Sequence, residues 1–225
     1  MAILKKRLGR DLSKDTYNRY QKTTEMFMSS NRLTDSTPAS AITYQHFLNY
    51  QADLNSHLDT ATSCNYLQKI KTIFKYAFET GRISSNPAFL LKIDKGEKET
   101  ILYLTQEELN KIKSHKFGRR LQEIADVFLF SCYTGLSFGD VAELEPSDYQ
   151  EKSGYVFIEK ARKKTGVKFV AILFDEALEI AEKYDYCLPV KSAQKTNEYL
   201  KEIADIVGID KSLHFHMARH TAACY

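Results

Sequence analysis

The sequence predicts a protein that is mainly α-helical, with one small antiparallel β-sheet, and that is divided into two domains. Apolar residues recur at helical spacing over most of the 225 residues. Two short runs rich in β-branched and aromatic residues flank a glycine-containing turn, as in a β-hairpin. A polar stretch at 92–100, almost without apolar side chains, lies between the two predicted domains, 1–95 and 96–225.

Composition excludes several classes of protein. Hydrophobic residues make up 43% and charged residues 27% of the chain, which is typical of a folded protein rather than a disordered one. We find no apolar run near the ~18 residues of a membrane span and no secretory signal, so we expect no membrane partner. The four scattered cysteines form no CxxC pair, which indicates free thiols and a cytoplasmic protein.

The net charge of +3 conceals an asymmetry between the two predicted domains. Residues 1–95 contain 14 Lys+Arg and 8 Asp+Glu, whereas residues 96–225 contain 18 and 21. The first domain is therefore basic and the second slightly acidic. A basic domain favours a polyanionic partner such as DNA.

The first domain is predicted to be helical throughout. Ser13 is a plausible N-cap for a helix over about 14–28, and Thr43 begins a second one. The clearest apolar pattern lies at 66–78 and stops at Gly81. The polar side of this third helix carries three lysines, namely Lys69, Lys71 and Lys75.

The second domain mixes helices with the hairpin. Thr105 and Glu108 form a capping box at a helix start, and a helix over 119–134 stops at Gly135. A two-stranded hairpin, 155–159 with 168–174, surrounds the basic turn 161–166. The remaining predicted helices lie at 176–183, at 194–207 and from about 214 to the end of the chain.

Three short segments could carry chemistry, and each also has a plain structural interpretation. The segment 132–140 could be a helix–Gly–turn–helix with buried Tyr and Leu side chains. The turn 162–166 could hold solvated lysines, or it could be a cationic loop whose lysine donates a proton to a leaving alkoxide. In 216–220, His216 and Arg219 share one helix face, which suits a phosphodiester, although surface histidines or a metal site with His214 are alternatives.

In this order, the three segments resemble the tyrosine recombinase, or phage integrase, family, and most closely the integrases of conjugative transposons and related bacterial mobile elements. That family has a Thr-Gly-Leu-Arg-x-x-Glu box after a long helix, a Lys-Thr in a hairpin turn, and a His-x-x-Arg-His box. This chain has Thr134-Gly-Leu-Ser-Phe-Gly-Asp140, Lys164-Thr165 and His216-Met-Ala-Arg219-His220. Residues 74–87 also resemble the close of the family's helical domain, so the resemblance covers about 10–225.

The resemblance implies a fold, a reaction and a set of roles. The fold is a helical SAM-like core-binding domain plus an α+β tyrosine-recombinase catalytic domain. The reaction cleaves and rejoins DNA through a 3′-phosphotyrosyl intermediate and needs no cofactor or metal. By motif match, Arg219 would bind a phosphate oxygen, His216 would hydrogen-bond the phosphate or assist proton movement, and Lys164 would be the general acid. Asp140 would help to orient the site, and the expected DNA-binding residues are Lys69, Lys71, Lys75, Arg162, Lys163 and His220.

Two departures from the family pattern affect this expectation. Ser137 stands where the family has its first arginine, and the sequence does not choose among Arg119, Arg120 and Arg162 as a replacement. The chain also ends at Tyr225, before the family's Leu-Gly-His box and nucleophilic tyrosine. We therefore expect an incomplete catalytic domain that binds double-stranded DNA without cleaving it.

Two other functions remain open at this level. A naturally truncated, non-catalytic DNA-binding regulator would have the same motifs, and a helical interaction protein would have them by accident. By resemblance, the full-length protein is expected to act as a tetramer on DNA in the bacterial cytoplasm. We expect the 225-residue chain to be monomeric in solution.

Overall fold

A computed structural model describes residues 12–96, 100–162 and 166–224. The chain forms two compact units, Met1–Glu99 and Thr100–Tyr225. Of the sequence predictions, Lys163, Lys164, Thr165, Tyr225 and residues 97–99 of the polar stretch lie outside the described residues.

The described part of the first unit is built from three main helices. They are α1 (Lys14–Ser30), α2 (Tyr44–His57) and α3 (Thr60–Glu79), with a 3-10 turn at Ala39–Ala41. Ser13 caps α1 by accepting the backbone N–H of Thr16, and the backbone N–H of Thr43 donates to His46 Nδ1 at the start of α2. The third helix begins earlier than its apolar pattern, because the Asp59 carboxylate accepts the backbone N–H of Thr62.

An aromatic cluster forms the core of this unit. The Phe47 ring lies 5.0 Å from the rings of both Phe27 and Phe74, and Tyr50 packs edge-on against Phe27. Phe47 and Tyr50 are completely buried. Since one residue comes from α1, two from α2 and one from α3, this cluster fixes the three helices against one another.

The second unit combines helices with a small sheet. The helices are α4 (Gln106–Ser114), α5 (Arg119–Thr134), α6 (Phe138–Ala142), α7 (Asp175–Lys183), α8 (Ala193–Val207) and α9 (His216–Ala222). The predicted capping box at Thr105 and the predicted bounds of α5 are confirmed. The last helix begins at His216 rather than near His214.

Among the described residues, the sheet has three strands rather than the two predicted. Strand β1 (Tyr149–Lys152) pairs with β2 (Tyr155–Ala161), which pairs with β3 (Lys168–Leu173), all antiparallel. The first strand is exposed or half-buried along its length and has no apolar alternation, so its sequence carries no strand pattern. The turn into β2 at Ser153-Gly154 has positive φ at both residues, as a tight hairpin requires.

Helix α5 is the centre of the second unit. Ten of its residues, from Leu121 to Cys132, are buried. It packs against α4, α6, α7, α8, α9 and β3. The helix ends at Gly135, whose φ of 68° is the left-handed conformation that glycine adopts most easily. The chain that follows this glycine is the first element of the candidate site.

Candidate phosphate-binding site

The orientation of α9 is set by its buried side. Phe215, just before the helix, packs edge-on against Phe128 and Phe138, with ring centroids 6.1 and 5.1 Å away. Thr221 is buried; its Oγ1 accepts the backbone N–H of Leu104 at 3.0 Å and donates to the Met217 carbonyl. Because this side faces the core, His216, Arg219 and His220 lie on the opposite, more accessible side of the helix.

Arg219 is tied to the loop that follows α5. Its Nη1 donates to the carbonyl oxygen of Gly135 at 3.0 Å. A Cβ atom at Gly135 would lie 3.5 Å from the Cβ of Ala222, so α9 passes close to this loop. The predicted box at 134–140 and the predicted box at 216–220 are therefore neighbours in space, although the 75 residues 141–215 separate them in the chain.

Ser137 has a local role in this loop. It is the N-cap of α6, and its Oγ donates to Asp140 Oδ2 at 2.7 Å. The backbone N–H groups complete a capping box, since Ser137 N–H donates to the carboxylate and Asp140 N–H donates to the serine hydroxyl. Asp140 is thus held in one orientation, and the serine provides no positive charge.

Arg162 reaches the same carboxylate from the sheet. Its Nε lies 3.7 Å from Asp140 Oδ2, and its guanidinium lies 5.6 Å from the centre of the Phe169 ring. Two backbone hydrogen bonds, Arg162 N–H to the Val167 carbonyl and Gly166 N–H to the Arg162 carbonyl, close the turn between β2 and β3. Arg162 therefore lies where β2 ends, at the start of the connection to β3.

The other two candidate arginines are engaged elsewhere. Arg119 pairs with Glu123 one helical turn along α5, and its side chain is 95% exposed. Arg120 donates from Nη2 to both carboxylate oxygens of Glu202 and lies over the Tyr199 ring. Of the three arginines considered from the sequence, Arg162 is the one that the structure brings to Asp140.

The histidines of α9 form a pair. The His216 and His220 rings lie 4.6 Å apart and are nearly perpendicular. Partial burial, with the positive charge of His220, His214 and Arg219, lowers the pKa of His216 below its ordinary value. A neutral imidazole at this position can either donate or accept a hydrogen bond at neutral pH. Within 12–96, 100–162 and 166–224, no group of three or more His, Cys, Asp or Glu is arranged to hold a metal.

The three lysines predicted on the polar side of α3 do not share one side of that helix, so this placement is wrong, whereas their role in DNA binding stays a prediction. Lys69 faces α1, whereas Lys71 and Lys75 line a depression with residues 84–86 and Phe89. Lys71 donates to the carbonyl of Leu91, and Lys75 pairs loosely with Glu79. The reason is geometric, because residues two positions apart on a helix, such as Lys69 and Lys71, point about 200° apart around its axis.

Lys69 belongs to a basic groove between α1 and α3 that the sequence did not reveal. Arg19 and Lys22 of α1 line it together with Lys69, Asn65 and Tyr66 of α3. The ammonium of Lys69 lies 5.4 Å from the centre of the Tyr66 ring, and burial and then Arg19 lower its pKa. The spacing of Arg19 and Lys22, three residues apart on one helix, was the available signal.

Comparison with known proteins identifies the family. The phage integrase family profile matches residues 92–225, and the phage integrase SAM-like domain profile matches residues 2–93. The chain therefore belongs to the phage integrase family. One relative, named as a tyrosine recombinase of Caldanaerobacter subterraneus subsp. tengcongensis, is 25% identical over 171 residues, 73% of this chain and 57% of that protein.

Another relative is the tyrosine recombinase XerC of Natranaerobius thermophilus, 30% identical over 146 residues, 63% of this chain and 46% of that protein. The chain thus spans about half the length of the curated relatives that it matches. Among solved structures, a lambda integrase dimer bound to a COC′ core site has a TM-score of 0.73 at 18% identity. The Tn1549 transposon integrase in complex with circular intermediate DNA has a TM-score of 0.73 at 14% identity.

These two structures are matched over most of their length. The lambda integrase similarity covers 99% of this chain and 83% of the other, and the Tn1549 similarity covers 98% and 83%. They show that the mainly helical fold with its small antiparallel sheet is the integrase fold. In the described part of the chain, we find no helix long and apolar enough to cross a membrane. All four cysteines are unpaired, two of them buried.

Proposed function

We propose that this chain binds double-stranded DNA as part of a tyrosine recombinase that performs site-specific cleavage and rejoining of DNA strands. One observation carries the proposal: Arg219, three residues from His216 on α9, is hydrogen-bonded to the Gly135 carbonyl, at the start of the loop that leads to Asp140. A guanidinium and a neutral imidazole on one side of a helix can together donate hydrogen bonds to the non-bridging oxygens of a phosphodiester.

In the proposed reaction, Lys164, Arg219 and His216 each have a separate role. A tyrosine hydroxyl passes its proton to the neutral imidazole of His216 as it attacks the phosphorus; a 3′-phosphotyrosyl bond forms while the bond from phosphorus to the 5′-oxygen breaks. The leaving 5′-oxygen takes a proton, which we assign to the ammonium of Lys164. Arg219 and His216 stabilise the additional negative charge on the phosphate oxygens during the attack. Rejoining reverses these steps with the 5′-hydroxyl of a partner strand.

We also propose that these 225 residues bind DNA without cleaving it. Tyr225 follows Arg219 by six residues, so even a continuous helix would turn it about 240° away from the arginine. Incubation with a nicked suicide duplex is therefore expected to trap no covalent protein–DNA adduct. An adduct mapped by mass spectrometry to any tyrosine of this chain would contradict this proposal.

Binding itself is tested by fluorescence anisotropy with a labelled duplex over a range of salt concentrations. We expect log Kd to rise linearly with log salt, because Lys and Arg replace the counterions of DNA phosphates. Arg219→Ala should weaken binding, whereas Arg120→Ala, which removes an arginine paired with Glu202, should have little effect. Salt-independent binding, or equal effects of the two substitutions, would contradict a phosphate-binding role for Arg219.

A non-catalytic DNA-binding regulator is the second candidate, and Ser137 in place of an arginine is the observation that favours it. The coding sequence after Tyr225 separates the two. A Leu-Gly-His box followed by a tyrosine would support the recombinase, and a stop codon would support the regulator.

We infer that the recombinase acts in the bacterial cytoplasm as a tetramer on DNA, and that the 225-residue chain is monomeric off DNA. The unpaired state of Cys64, Cys132, Cys187 and Cys224 is consistent with a reducing compartment. Sedimentation velocity at micromolar concentration tests the monomer, and a stable dimer would contradict it.

A further inference from the structure

We propose that Arg162 supplies the phosphate-binding guanidinium that position 137 lacks, and that Asp140 positions it. The inference rests on the proposed function and adds a binding residue to it. Position 137 carries no positive charge, because Ser137 uses its hydroxyl to cap α6 and to hold Asp140. The carboxylate that would accompany an arginine at position 137 is therefore present and oriented without one.

Arg162 lies close enough to Asp140 to provide the guanidinium that position 137 lacks. Its Nε lies 3.7 Å from Asp140 Oδ2, close enough for an ion pair but beyond a normal hydrogen bond. Nε is buried and has no hydrogen-bond partner among the described residues, whereas the side chain as a whole is 34% exposed. Because Nε itself is shielded from solvent, the exposed part of the side chain lies in its other atoms. The two amino groups are the other hydrogen-bond donors of the guanidinium, and we assign them to the phosphate.

Three interactions restrict where this arginine can go. Its guanidinium lies over the Phe169 ring, its backbone closes the β2–β3 turn, and Asp140 attracts it from α6. Asp140 is itself only 11% exposed and cannot follow the arginine outward. An arginine held by a ring and a carboxylate keeps its fork in a narrow range of directions.

Arg162 and Arg219 converge on the same short segment of chain. Arg219 binds the carbonyl of Gly135, and Arg162 pairs with Asp140, five residues further along. A phosphate at this segment would therefore meet one guanidinium from α9 and a second from the sheet. Two such clamps are what a phosphodiester with additional charge in its transition state requires.

The test compares substitutions by the salt dependence of DNA binding. Anisotropy with a labelled duplex of about 30 base pairs gives the slope of log Kd against log salt, which falls by about 0.9 for each DNA phosphate that the protein no longer neutralises. We expect Arg162→Gln to lower the slope by about this amount and to weaken binding several-fold. The matched controls, Arg119→Gln and Arg120→Gln, should leave the slope unchanged, although each also removes one charge.

Restoring the charge at the other position provides a rescue. In the double variant Ser137→Arg with Arg162→Gln, the guanidinium returns from α6, and we expect the wild-type slope to be recovered. Arg162→Lys should keep the slope but lose affinity, because an ammonium has no fork. A purely structural role for Arg162 would not be rescued by an arginine at position 137.

A second measurement needs no substitution. Phenylglyoxal modifies accessible arginines, and mass spectrometry of the wild-type chain can follow each site with and without the duplex. We expect DNA to protect Arg162 but not Arg119, which is almost fully exposed. This experiment decides the matter even if Arg162→Gln does not fold.

The outcomes distinguish the two proposals. Absence of salt-dependent binding by the wild-type chain would overturn the proposed function. Normal wild-type binding with an unchanged slope for Arg162→Gln, or with no protection of Arg162, would overturn this inference alone.

Discussion

Replacement of Asp126 by asparagine should destabilise the second unit more than its small change in size implies. Asp126 lies on α5 with only 7% of its side chain exposed. Its Oδ1 accepts Gln122 Nε2 at 2.9 Å, and its Oδ2 accepts Lys183 Nζ at 2.5 Å and the Tyr184 hydroxyl at 2.7 Å. The carboxylate therefore joins α5 to the end of α7.

These hydrogen bonds set the expected magnitude. A hydrogen bond to a charged group contributes about 1.5–3 kcal/mol, and asparagine can keep the one from Gln122 through its carbonyl oxygen. On the other side its amide places a donor against the Lys183 ammonium, which can only donate, and the Tyr184 hydroxyl has to rotate to accept a hydrogen bond. Lys183 is half exposed and can return to water, so we expect a loss of about 2 kcal/mol rather than the 3–5 kcal/mol of a fully buried pair.

Glu202→Gln is the matched control, because it makes the same chemical change in a surface pair. The Arg120 and Glu202 side chains are 58% and 44% exposed, and such pairs contribute about 0–1 kcal/mol. Urea unfolding followed by circular dichroism measures both variants. Hydrogen exchange of peptides from α5 and α7 assigns the loss to this unit. Equal effects of the two substitutions, or an Asp126→Asn change below about 0.5 kcal/mol, would refute the reasoning.

Two further predictions concern the candidate site. Gly135→Ala should lower the free energy of unfolding, measured by thermal melting, by about 1–2 kcal/mol, because the φ of Gly135 is positive while Ala222 is only at ordinary contact distance. Gly139→Ala in α6 is the control and should leave the stability unchanged or raise it slightly. Losses of equal size would contradict a backbone cause. Duplex binding should strengthen as pH falls from about 8 to 6, because a phosphate favours the charged form of His216, whose pKa in the free protein is lowered. Anisotropy at constant ionic strength measures this, and an undiminished pH dependence in His216→Gln would exclude His216 as its source.

The free protein should show the opposite sign of pH dependence. A lowered pKa of His216 means that the unfolded chain binds the proton more readily than the folded one. The contribution of His216 to stability is therefore complete above its unfolded pKa of about 6.5 and declines as the pH falls below it. The pH dependence of DNA binding and that of protein stability thus report separately on the protonation of His216.

Local signals accounted for much of the fold. Thr105 with Glu108 marked the start of α4, and the bounds of α5 followed from apolar periodicity and the glycine at 135. Strand β1 was missed because it is short and has no buried alternating face. Its pairing with β2 arises from the tertiary fold and leaves no local pattern.

Sequence patterns likewise predicted one part of the candidate site and missed another. His216 and Arg219 share a side of α9, as their spacing of three residues predicted. The approach of Arg162 to Asp140 joins residues 22 positions apart, with the end of α6, a 3-10 turn and both β1 and β2 between them, and no periodicity encodes it. The same holds for the groove of Arg19, Lys22 and Lys69, which needs two helices packed side by side.

The bond between Arg219 and the Gly135 carbonyl has an entropic consequence. An arginine that is free in solution loses about 0.5–1.5 kcal/mol of rotamer freedom when a ligand immobilises it. Here folding itself already restricts the side chain, since the carbonyl that ends α5 accepts its Nη1. A phosphate arriving at α9 would meet a guanidinium that is already confined, so less conformational freedom remains to be lost at the moment of binding.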